Sequence, residues 1–143
     1  MERRDFDVDH YLAEPRVGHV ATADPSVVPI WFLWEDEAFW WLTGPWSKLA
    51  ERLAADPAVA LVVDSCDLVV GEVRQVRASG RAEVVDYDPD RAYRKLSRYL
   101  GSDPSTWDAS RFVVEDPATT QTRFVCLVPD RLTAVDLSFV PSR

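Results

Sequence analysis

Thr43, Ser47 and Lys48 bring two hydroxyls and an amine into one short segment, Leu42-Thr43-Gly44-Pro45-Trp46-Ser47-Lys48-Leu49. Residues of these types at a strand-to-helix junction could hold an anion, phosphate above all. Ala38-Phe39-Trp40-Trp41-Leu42 upstream favours an extended backbone. Lys48 to Ala55 downstream favours a helix, with Leu49 and Leu53 one turn apart. The N–H groups of a helix start lack partners, and the helix dipole adds partial positive charge there. Lys48 in a first turn opposes that dipole, and a bound anion would reverse the sign. A capped helix with Lys48 turned to solvent fits the same spacing, and spacing alone leaves both readings open.

Other chemistries lack residues to carry them. The chain shows no Ser-His-Asp set, no paired-carboxylate signal, no metal-ligand spacing and no Walker-type glycine loop. Cys66 and Cys126 are far apart and read as reduced filler. His19 reads as a core or interface histidine and His10 as helix surface. A net charge of −8 argues against a nucleic-acid partner. With 143 residues, 47% hydrophobic and 28% charged, the composition is that of one soluble globular domain. No apolar run approaches the ~20 residues of a membrane span or forms a signal peptide, so the expected setting is the cytoplasm, without membrane association.

The elements that must position the junction follow from local signals. Asp7 to Glu14 reads as an opening helix stopped by Pro15. Arg16 to Ala23, Val27 to Trp34 and Ala38 to Thr43 read as three strands joined by short turns, an antiparallel meander. Ala58 to Asp64 is a nearly all-apolar strand. From Val69 to Val85 the chain stays extended across Gly80, so this strand is expected to bend and serve two faces. Asp88 caps a helix that Pro89 opens and Gly101 ends. Its inner stripe reads as Tyr93, Leu96, Tyr99 and Leu100, leaving Arg91, Arg94, Lys95 and Arg98 on other faces. Ser102 to Pro117 reads as irregular with a helical turn or two after Asp103-Pro104. Thr122 to Val128 and Leu132 to Phe139 form a closing hairpin. The predicted fold is α+β: a mostly antiparallel barrel of six to eight strands with short flanking helices.

Several segments in this order resemble the split β-barrel flavin and deazaflavin oxidoreductases, the superfamily of pyridoxamine 5'-phosphate oxidase. They are Arg16 to Ala23, Val28-Pro29-Ile30-Trp31-Phe32, the aromatic strand, the Thr43…Ser47-Lys48 junction, Asp56 to Leu61, Val76 to Val85 and Pro129-Asp130-Arg131-Leu132. The likeness runs from about residue 11 to residue 137. It implies a homodimer with two cofactor sites at the subunit interface, binding FMN or the deazaflavin coenzyme F-420. On the matching positions it implies that Thr43, Ser47 and Lys48 hold the phosphate, with Arg52 one turn beyond Lys48. It also implies that Pro29, Ile30 and Trp31 face the ring and that Trp46 adjoins it. The expected activity is hydride transfer between that cofactor and a small planar or unsaturated substrate. A non-catalytic carrier or sensor of flavin, deazaflavin or haem is the alternative. Leu49 and Ala50 stand where relatives often carry a second basic residue or asparagine, which ranks F-420 ahead of FMN. The basic face of the helix after Asp88 reads as solvated, or as a seat for the oligoglutamate tail of F-420.

Overall fold

The computed structural model describes residues 2–142. Three helices and eight strands follow one another in the order α1 (Val8–Ala13), β1 (Val17–Thr22), β2 (Ser26–Trp31), β3 (Leu33–Glu35), β4 (Ala38–Thr43), α2 (Leu49–Ala55), β5 (Ala58–Asp67), β6 (Glu72–Val85), α3 (Pro89–Leu100), β7 (Arg123–Leu127) and β8 (Arg131–Asp136). The strands run β2-β1-β5-β6-β7-β4-β3, with β8 on β6, and every pairing between them is antiparallel. This is the expected α+β split barrel.

The changeover lies in β6. From Glu72 to Arg81 it pairs with β5, and from Ala82 to Val85 with β7. Gly80 sits at that point because a Cβ there would lie 3.1 Å from the Asp130 nitrogen and from the Leu127 side chain. The turn before β8 therefore closes directly on the strand, and the Asp130 N–H donates to the Ser79 carbonyl at 2.9 Å. The barrel interior is filled by Phe32, Phe39, Trp41, Val63, Val76 and Leu127, each almost fully buried.

Two expectations change. The predicted strand from Val27 to Trp34 is two strands, and β2 and β3 end at opposite edges of the sheet rather than forming a meander. The break falls at Phe32, whose N–H donates to the Tyr99 hydroxyl at 3.0 Å. That hydroxyl also lies 2.7 Å from the Arg16 carbonyl and 3.1 Å from the Phe32 carbonyl, so α3 takes the bonds a neighbouring strand would have made. The inner face of α3 is Ala92, Lys95 and Leu96, while Tyr93 lies partly exposed against Trp107. Among the described residues no helix is long and apolar enough to cross a membrane, and no cluster of His, Cys, Asp and Glu could hold a metal ion.

Candidate functional site

The chain leaves β4 at Thr43 and enters α2 at Leu49, so Lys48 takes the cap position rather than the first turn. The side chain of Lys48 makes no capping bond; Ser47 Oγ accepts from the Leu49 N–H at 3.1 Å instead. The Ser47 N–H donates back to the Gly44 carbonyl at 3.0 Å, closing the turn. Trp46 folds over Gly44 so closely that a Cβ there would lie 2.1 Å from its ring. Only glycine permits that approach.

Thr43, Trp46, Ser47 and Lys48 line one cleft of about 500 Å³. Arg123 reaches it from β7, where it stands opposite Thr43 in the strand register. Its Nη1 donates to the Thr120 and Thr122 carbonyls at 3.2 and 3.0 Å. Neither Lys48 nor Arg123 is ion-paired among the described residues, and Glu51 is the one carboxylate in the lining. Thr43 is 2% exposed and its hydroxyl finds no hydrogen-bond partner. An orphaned buried hydroxyl costs a fold roughly 1–3 kcal/mol. Excess positive charge beside an unspent donor is suited to an anionic ligand.

A smaller cleft of about 210 Å³ shares Ser47 and Lys48 and adds Thr22, Ser26, Val28 and Arg52. Arg52 therefore stands near Lys48, but its guanidinium is ion-paired with Asp24 in the β1–β2 turn. Pro29, Ile30 and Trp31 line neither cleft. Pro29 is exposed opposite His19, and Ile30 packs against the barrel core. Trp31 stacks on Tyr99 at 4.5 Å and on Phe112 at 5.2 Å, each pair 7° from parallel. Their placement gives Trp31 intramolecular aromatic partners, and the junction residues remain the group that the fold brings together.

The basic face expected on α3 is not a free one. Arg91 Nε and Arg94 Nη2 each donate to Glu35 Oε1 at 2.8 Å, and Arg94 Nε donates to Oε2 at 3.0 Å. These bonds, Arg94's first, hold the Glu35 carboxyl below its ordinary pKa. Arg91 also covers the Trp40 ring at 3.5 Å. Lys95 points to the buried side instead. An oligoglutamate tail would have to displace Glu35. Sequence reasoning missed Arg123 as well, because the β4–β7 register that brings it to Thr43 spans some eighty residues and leaves no local signal.

A sequence profile of the pyridoxamine 5'-phosphate oxidase family matches residues 7–135. Among curated proteins none matches the chain. The solved structures similar to it include the conserved hypothetical protein Rv2991 from Mycobacterium tuberculosis, at 23% identity and a TM-score of 0.70, covering 95% of this chain and 90% of that one. The haem storage protein HutZ from Vibrio cholerae is similar at 16% identity and a TM-score of 0.67, covering 95% and 96%. The FAD binding protein from Mycobacterium smegmatis is similar at 19% identity and a TM-score of 0.60, covering 94% and 99%. At these identities the likeness is one of fold.

Proposed function

The chain belongs to the pyridoxamine 5'-phosphate oxidase family, and from that footing we propose that it is a flavin- or deazaflavin-dependent oxidoreductase acting on a small planar or unsaturated substrate. The observation that carries this reading is the cleft past β4. Two cations without ion pairs, Lys48 and Arg123, line it together with Thr43, whose buried hydroxyl has no partner. Together with Ser47 they would hold the cofactor's phosphoryl group. FMN or coenzyme F-420, when bound, supplies the two-electron chemistry, and the chain's own part is to bind, orient and exclude water. Arg123 provides the second basic group that the neighbours of Lys48 lack, so the ground for ranking F-420 ahead of FMN falls away. Arg52 joins the phosphate site only if it leaves Asp24.

In this reading the partner is a second copy of the chain. Its seat is the outer face of β1, β2, β5, β6 and β8, where Val27, Ala60, Val62 and Thr133 line a groove of about 650 Å³ rimmed by His19, Arg77 and Arg131. Pro29 neighbours that groove through His19, which would put a ring bound against Pro29 at the subunit interface. A non-catalytic carrier or sensor is the second reading. It draws on the lining of the cleft, which offers no histidine, cysteine or tyrosine to move a proton.

The test is a titration of the purified full chain with FMN, F-420 and FAD, followed by fluorescence quenching, beside turnover with quinones and enones. Micromolar binding that weakens at least tenfold in Lys48→Ala, with turnover, supports the enzyme. Binding without turnover supports the carrier. If none of the three ligands binds at micromolar concentration, both readings fail.

A further inference from the structure

On the buried face of α3, Ala92 and Leu96 are what a core helix ordinarily offers, but Lys95 between them is not. It is 5% exposed and makes no hydrogen bond or ion pair among the described residues. Three part-buried arginines of the chain have carboxylate partners, Arg52 with Asp24, Arg74 with Asp136 and Arg91 with Glu35, while Arg98 has none and gives Nη2 to the Leu12 carbonyl. An amine on so buried a side chain, without a partner of its own, carries a desolvation penalty, although its Nζ is not among the atoms fully closed to solvent.

Lys95 lines a cavity of about 400 Å³ whose other walls include Leu42, Trp46, Phe112, Arg111 and Glu115. The Glu115 carboxylate is already taken. Its Oε1 accepts from the Thr120 hydroxyl at 3.0 Å and its Oε2 from the Thr122 hydroxyl at 2.7 Å. Arg111 adds a second positive charge, so the slot is apolar along its length and cationic overall. Burial pushes the Lys95 pKa down to about 8, which leaves the amine charged at neutral pH.

We propose that this cavity is a ligand site in which Lys95 forms an ion pair with the carboxylate of a flat, apolar acid lying against Leu42, Trp46 and Phe112. A small number of placed polar groups in an apolar slot is the usual construction of a small-molecule pocket. Trp46 also lines the cleft that holds Lys48, so the acid would lie beside whatever that cleft binds. The site stands on its own residues, and only the acid's role as the substrate rests on the proposed oxidoreductase function.

Calorimetric titration of the full chain at pH 7 with 2-naphthoate and with its neutral isostere 2-naphthamide tests the site. The acid is expected to bind at least tenfold more tightly than the amide. Lys95→Met should abolish that preference, and Lys48→Ala should leave it intact. Equal affinity for acid and amide, a preference that survives Lys95→Met, or no binding of the acid at millimolar concentration would each overturn the proposal. The acid–amide comparison needs no variant, so it decides even if Lys95→Met fails to fold. Failure of the flavins and F-420 to bind would remove the redox reading and leave these outcomes standing.

Discussion

Lys48 stands exposed at the head of α2 and Lys95 lies beneath α3, and the two amines enter the energetics with opposite weight. Solvating Lys48 costs the fold little. Burying Lys95 lowers its pKa from 10.5 to about 8, so the folded chain binds that proton more weakly than the unfolded chain. The penalty is present in full below about pH 8 and fades as pH rises toward 10.5. Lys95→Met, which keeps the side-chain length, is therefore expected to raise stability at pH 7 by roughly 2–3 kcal/mol. The gain should shrink to near nothing by pH 10.5, as read by urea denaturation across that range. At this scale the sequence tells residue types and not surroundings. Lys95 looks like one more surface base among Arg91, Arg94 and Arg98, because helical spacing alone cannot say which face the barrel covers.

At the scale of elements, α3 is legible to the residue because its signals are local. Asp88 accepts from the Asp90 and Arg91 N–H groups, Pro89 opens the helix and Gly101 closes it at φ 94°. The break between β2 and β3 is not legible. Val27 to Trp34 is an unbroken run of strand-forming residues apart from Pro29, and what divides it is a hydroxyl from residue 99. Tyr99→Phe removes that hydroxyl and leaves the Phe32 N–H without its partner while keeping the stack on Trp31. The expected loss is about 1–3 kcal/mol, measured as a lower urea midpoint with an unchanged slope. A loss within a few tenths of that unit would mean that water or a shifted strand takes the bond over. The two halves of β6 fall between these cases. Gly80 marks the bend in the sequence, but which strands flank it is fixed only by pairing with β5 and β7.

For the whole molecule, the outer groove is one apolar surface that a single chain leaves uncovered around β1, β5 and β8. Placing a charge there separates the proposed second copy from the fold itself, since Val62 points outward between the buried Leu61 and Val63. Val62→Asp is expected to convert a dimer to a monomer in sedimentation velocity with its melting curve still cooperative. A wild-type chain that sediments as a monomer would defeat the interface. By itself the sequence determined the barrel class, the helix capped by Asp88 and the crowding of Thr43, Ser47 and Lys48 at one junction. Those follow from periodicity, turn chemistry and short-range spacing, all of which act within a few residues. The tertiary structure alone decided that Arg123 joins them, that Asp24 takes Arg52, that Trp31 stacks on Tyr99 and Phe112, and that Lys95 faces inward. Each of these depends on strand register or helix rotation, which is set by how the entire core closes rather than by any residue's neighbours in the chain.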